Sequence, residues 1–123
     1  MTIEEQYELL EKTVRGYNPG ADILQIRAAF AFAEEAHRDQ KRKSGEPYII
    51  HPLAVAQIVA EELRLDSESI EAALLHDVIE DTPATEEQVA KLFSPTVAAL
   101  VEGVSKLTRI QYATKEDEQM ENL

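Results

Sequence analysis

The stretch LLHDVIEDT, Leu74 to Thr82, puts one histidine and three carboxylates into a run that otherwise reads as a buried apolar helix. With ~100° per residue and His76 set at zero, Asp77 falls at ~100°, Glu80 at ~40° and Asp81 at ~140°. Ile70, Ala73 and Leu74 fall at ~120°, ~60° and ~160°, so the ionisable residues continue an apolar, inward-looking stripe. A buried carboxylate without a partner protonates or finds a counter-charge, and three together require a strong positive centre, most simply a divalent cation. Adjacent His76 and Asp77 can give an imidazole and a carboxylate to one ion. Glu80 and Asp81, a turn later, are then spaced to act on a water held there. Mixed nitrogen and oxygen ligands leave manganese, zinc, iron and magnesium open. The ordinary fate of an acidic helix end is to face solvent, and it is the His-Asp, Glu-Asp succession that weighs against it.

Two more histidines and a basic run complete the set of reactive residues. His51 precedes Pro52, a residue suited to a first helical position, so His51 is expected to cap a helix and to be the third ligand. His37 closes an apolar stripe behind Phe30 and Ala33, where a hydrogen-bonded core histidine is the expected role. RDQKRK gathers Arg38, Lys41, Arg42 and Lys43 a few residues before His51, four of the 12 basic residues of the chain. A charge run is ordinarily a solvated face, but this one stands out against a net charge of −12. That balance disfavours a general binder of DNA or RNA, which needs a basic surface, and suits a small polyanion better.

The elements that must carry these residues are helical, because no alternating β-branched run is bounded by hairpin turns. Thr2 and Glu5 form a capping box before the stripe Ile3, Tyr7, Leu10, Val14, and GYNPG ends that helix. Asp22 starts the next, with Ile23, Ile26, Phe30, Ala33 and His37 on one face. SGEPY reads as a loop. A helix from His51 to about Leu63 is expected to present Ala54, Val55, Ile58 and Val59. Asp66 or Ser67 caps a helix of about four turns that runs unbroken through LLHDVIEDT to Thr82-Pro83. Thr85 and Gln88 cap a short helix ending near Phe93, and Ser94-Pro95 opens another through Val97, Leu100, Val101 and Val104. Thr114 is placed to cap a further helix, so 109–123 reads as an incomplete C-terminal helix or flexible tail.

A chain of 123 residues with 44 % apolar and 29 % charged residues is sized for one globular domain. It has no cysteine, which removes disulfides and thiolate metal sites and is compatible with a reducing cytoplasm. No apolar run of ~18 residues and no signal core is present, so a cytoplasmic protein with no membrane partner is expected.

Three blocks in order, AHRDQKRKSGEPYIIHPLAVA, AALLHDVIEDT and LVEGVSKLT, resemble the N-terminal hydrolase domain of the bacterial RelA/SpoT (Rel) alarmone enzymes, a branch of the HD phosphohydrolases. The resemblance runs from about Asp22 to Thr108. It implies an all-α HD-domain helical bundle over 1–123 that hydrolyses the 3′-pyrophosphate of guanosine tetra- and pentaphosphate with manganese, in stringent-response control. It makes His51, His76 and Asp77 metal ligands, Glu80 and Asp81 the catalytic pair, and Arg42, Lys43 and Ser44 the nucleotide contacts. Arg42 has the flat guanidinium that stacks on a base. The family's fourth ligand, an aspartate in a block resembling LADRLHN, has no counterpart before Leu123. The resemblance therefore implies that the usual C-terminal helices are missing, that a synthetase domain can follow in the parent protein, and that an uncovered core face could self-associate. Two other readings remain: an HD phosphohydrolase acting on another nucleotide, and a non-catalytic module that senses nucleotide.

Overall fold

The structure, a computed structural model, describes residues 1–104. The described residues form helices α1 (Ile3–Tyr17), α2 (Ile23–Ala36), α3 (Ile50–Ile58), α4 (Ser67–Leu75), α5 (Val78–Asp81), α6 (Glu86–Leu92) and α7 (95–104). The all-α class expected from the sequence is what is found. None of these helices is long and apolar enough to cross a membrane. The expected helix from Thr114 and the segment 109–123 lie outside the described residues.

The helix starts follow from capping. Thr2 and Glu5 close a reciprocal box at 3.0 and 3.1 Å, and Thr85 and Gln88 do the same at 3.0 and 3.2 Å. Asp22 accepts from the Gln25 N–H, Asp66 from that of Ser69, and the Ser94 hydroxyl from that of Val97. Each bond satisfies an N–H that the helix leaves without a partner, worth ~1 kcal/mol.

The core forms where the stripes meet. Tyr7, Leu10 and Val14 of α1 are fully buried, and Tyr7 stacks on Phe30 of α2 with ring centroids 4.5 Å apart. The Arg27 guanidinium covers the Tyr7 ring at 4.7 Å and bonds Glu4, closing the α1–α2 seam with a cation over a π face. α4 is the central element, packed against α2 and α3. All of its residues from Ile70 to Leu75 are buried, so it has no solvent stripe.

Four expectations need correction, and two of them move site residues. α3 starts at Ile50, with Pro52 third in the helix, so His51 lies in the first turn and does not cap it. The buried face of α3 is Pro52, Leu53 and Ala56, while Ala54 and Ile58 are exposed. Beyond Ile58 the chain continues as a π-helical turn, Val59–Leu63, and leaves it through Arg64 in the left-handed region (φ 49°). Finally, the helix through LLHDVIEDT is not continuous. α4 stops at Leu75, His76 and Asp77 form a turn, and α5 begins at Val78. At the break the Ala73 carbonyl, which a regular helix would offer to the Asp77 N–H, takes the His76 Nδ1–H at 2.6 Å.

Candidate functional site

The interruption at His76-Asp77 builds the site. Backbone conformation at Asp77 (φ −97°, ψ −5°) turns its carboxylate toward the first turn of α3, where His51 waits. His76 Nε2 stands 3.1 Å and His51 Nε2 3.4 Å from the same oxygen, Asp77 Oδ2. One ligand atom from each of the three residues lies within 4.8 Å of the others. Side-chain exposure is 11 % for His76, 18 % for Asp77 and 35 % for His51, so the pocket is sheltered with one open edge.

These atoms have the chemistry of a cation site. Because the Ala73 carbonyl can only accept, His76 carries its proton on Nδ1, and the neutral tautomer leaves the Nε2 lone pair facing Asp77. Two imidazole nitrogens and a carboxylate oxygen so disposed could hold a metal ion, and they suit a divalent cation that accepts nitrogen and oxygen together. When His76 is protonated its Nε2–H instead donates to Asp77, and the protonation equilibria reflect that pairing. Burial alone would lower the His76 pKa, but the hydrogen bond to Asp77 and the Ala73 carbonyl outweigh it and hold it above the ordinary value. Burial would raise Asp77, yet the His76 contact, the Tyr48 hydroxyl and His51 hold it below the usual carboxylate range. His51 is lowered, first by burial and then by the neighbouring His76, Arg42 and His37.

Glu80 and Asp81 do not continue that inward face. Both are exposed, because the break after Leu75 resets the helical phase on which a shared arc depended. Asp81 is nevertheless tied to the site. Its backbone carbonyl accepts from Gln40 Nε2, and its carboxylate Oδ2 lies 3.4 Å from the Tyr48 hydroxyl.

The basic run lies on the open edge. After α2 ends at His37, the chain makes a tight excursion closed by a bridge between Lys41 and Pro47, with the Arg42 N–H donating to Glu46 O at 2.8 Å and the Gly45 N–H to Arg42 O at 2.8 Å. Gly45 has φ +89°, which a side chain would strain, so the turn needs glycine there. Lys41, Arg42, Lys43 and Ser44 are exposed at this turn and line a cleft of about 710 Å³ together with Glu46, Tyr48, Ile50 and His51. The cleft joins basic side chains to the histidine of the cluster.

His37 is the core histidine expected, 1 % exposed, with Nδ1 2.9 Å from Gln40 Oε1. Sequence reasoning missed Tyr48 and Gln40. Tyr48 donates to Asp77 Oδ2 at 2.8 Å, and burial followed by that bond pushes its phenol well above the ordinary value. The signal available for Tyr48 was its place three residues before His51, where one helical turn brings two side chains together.

Residues 29–123 match the HD domain family. The chain is 51 % identical over 116 residues to the bifunctional (p)ppGpp synthase/hydrolase SpoT of Escherichia coli (strain K12), covering 94 % of this chain and 16 % of that protein. It is 57 % identical over 90 residues to the guanosine-3′,5′-bis(diphosphate) 3′-pyrophosphohydrolase of Haemophilus influenzae, covering 73 % of this chain and 13 % of that protein. The chain thus spans about a sixth of the length of such relatives. A solved structure, described as a metazoan ortholog of SpoT that hydrolyzes ppGpp and plays a role in starvation responses, superposes with a TM-score of 0.61 at 40 % identity, over 63 % of this chain and 46 % of that one.

Proposed function

Because this chain belongs to the HD domain family, we propose that its cluster of His51, His76 and Asp77 holds manganese and serves the hydrolysis of the 3′-pyrophosphate of guanosine tetra- and pentaphosphate. The observation that carries the reading is the junction of that cluster with the basic cleft through His51, which belongs to both. A phosphate-rich substrate needs a cationic cradle beside the reacting phosphorus, and the two are adjacent here. The names and identities of the SpoT-like relatives support guanosine tetraphosphate as the substrate.

In this reading each residue has a distinct task. The Arg42 guanidinium stacks on the guanine face, and Lys43 and Ser44 bind base or phosphate. A divalent cation, when bound, supplies Lewis acidity at a phosphoryl oxygen and at the attacking water. Glu80 and Asp81, on the exposed turn beyond the cluster, orient that water and accept its proton or deliver one to the departing 3′ oxygen of the nucleotide. Water attacks the 3′-diphosphate at phosphorus, the bond from phosphorus to the 3′ oxygen breaks, and GDP or GTP leaves with pyrophosphate. No nucleophilic side chain is needed. In the full-length protein a synthetase domain would follow, as the length of the relatives and the bifunctional name of one of them suggest.

The exposure of Glu80 and Asp81 favours one competing reading, a non-catalytic module that binds metal and nucleotide without turnover. The test is incubation of the chain, and of its full-length parent, with guanosine tetraphosphate and manganese, followed by chromatography of the nucleotides. GDP and pyrophosphate in the parent, abolished by chelator and restored by manganese, are expected. Tight manganese binding with no pyrophosphate release from either protein would support the sensor instead. Turnover unaffected by Arg42→Ala would point to an HD phosphohydrolase for another nucleotide.

A further inference from the structure

Between the metal cluster and the exposed carboxylates stands a side chain that touches both. The Tyr48 hydroxyl donates to Asp77 Oδ2 at 2.8 Å and lies 3.4 Å from Asp81 Oδ2. A phenol has a single hydrogen to give, so the shorter contact is the established bond and the longer one a poised alternative. Asp77 Oδ2 is also the oxygen that both imidazoles face, so whatever holds Tyr48 aims the ligand atom of the cluster.

Tyr48 is itself held from three sides. Its N–H donates to the Gln40 carbonyl at 3.1 Å. Its ring packs against that of His37, with centroids 4.7 Å apart, and edge-on to His51 at 5.8 Å. His37 is buried and bonds the Gln40 side chain, and the amide of that same side chain donates to the Asp81 backbone carbonyl. Two routes therefore run from the end of α2 to Asp81: through the Gln40 amide to its backbone, and through the Tyr48 hydroxyl to its carboxylate. The hydroxyl reaches Asp77 at the same time.

We propose that Tyr48 is a positioning residue that sets the ligand atom of Asp77 and couples it to Asp81, with His37 and Gln40 as its rigid seat. The coupling to Asp81 rests on the hydrolase reading above, whereas the aiming of Asp77 rests on the metal cluster alone. Partners of this outer kind, bonded to a ligand and not to the ion, change metal affinity or activity by ~10–100-fold when removed.

The test is Tyr48→Phe in the full-length protein, which keeps the ring against His37 and removes only the hydroxyl. Calorimetric titration with manganese is expected to give about 10-fold weaker binding at unchanged stoichiometry, with an unchanged melting temperature. With guanosine tetraphosphate, kcat is expected to fall ~10–100-fold while KM stays within about 2-fold. Unchanged affinity and kcat would overturn the proposal, and so would lowered stoichiometry at unchanged affinity, the mark of a merely structural role. If the wild type binds manganese but hydrolyses nothing, the hydrolase reading fails, and weakened binding in Tyr48→Phe still upholds the aiming of Asp77. Gln40→Ala guards against a folding defect at Tyr48. It keeps the backbone carbonyl that holds Tyr48 and removes the side-chain amide bonded to Asp81, so it is expected to lower kcat with affinity within about 2-fold, and no effect on kcat would overturn the coupling to Asp81.

Discussion

Asp77 and Glu71 stand six residues apart in the sequence, both withdrawn from solvent, and their surroundings drive them in opposite directions. Burial acts on Asp77 to raise its pKa, but two histidines and the Tyr48 hydroxyl more than reverse it. Glu71 is only 4 % exposed, and burial, followed by the charges of Asp22, Glu68 and Asp66, pushes it up to about 7. Burying a carboxylate is therefore not what marks the site. What marks it is that burial is outweighed by partners suited to sharing a cation.

The contrast between the two carboxylates can be broken most severely at Asp77. Outer partners of a metal ligand are worth ~10–100-fold, so Asp77→Asn, which removes a ligand charge, is expected to weaken manganese binding by more than ~100-fold and to abolish turnover. Calorimetry on the folded variant checks this. Asp81→Asn probes the neighbouring carboxylate that faces solvent. It is expected to cost ~100-fold or more in kcat, the usual range for a general acid or base, with metal affinity within a few-fold. A large loss of affinity would make Asp81 a ligand and erase the division of labour.

At Glu71 the expected effect is on stability. Its folded pKa, about 7, lies above the 4.5 of an unperturbed glutamate, so the folded state keeps the proton more tightly between those values and stability falls as pH rises from about 4.5 to about 7. A tenfold difference in proton affinity between folded and unfolded chain corresponds to ~1.4 kcal/mol, and solvent screening of the exposed Asp22 and Asp66 reduces their part of it. Glu71→Gln is therefore expected to stabilise the protein at pH 8 by about 1–3 kcal/mol and to change little at pH 4. Urea denaturation at the two pH values measures the difference. The smallest effect is expected for Asp22→Asn, which keeps the α2 cap and removes one charge near Glu71. Since burial is the larger cause, the Glu71 titration midpoint followed by NMR should fall by well under one pH unit. A fall to the ordinary glutamate range would make charge, not burial, the dominant cause.

Much of this was legible before the fold was known, for physical reasons that differ by element. The caps at Thr2, Asp22, Thr85 and Ser94 are local hydrogen-bonding choices and could be read directly, as could the α1 stripe of Tyr7, Leu10 and Val14, while the cap of α4 was narrowed to Asp66 or Ser67 and is Asp66. His51, His76 and Asp77 were marked by residue type, and they do converge. The break at His76-Asp77 was not legible, because it depends on a side-chain nitrogen reaching the Ala73 carbonyl, and with it went the expectation that Glu80 and Asp81 face inward. Pro52 suggested a helix start one residue after His51, whereas the turn that bonds Ile50 to Pro47 and His51 to Tyr48 starts the helix earlier. Glu71 was hidden for a different reason. A helix buried on every side has no amphipathic phase to read, so a glutamate within it looks like a solvent position.

Every role proposed for these residues depends on a cation shared by His51, His76 and Asp77, and an anomalous difference map from crystals grown with manganese would reveal it. A peak is expected between His51 Nε2, His76 Nε2 and Asp77 Oδ2, at ~2.0–2.3 Å from each as for mixed nitrogen and oxygen ligands. A map with no peak among those atoms, or with manganese held elsewhere in the protein, would contradict a shared cation there.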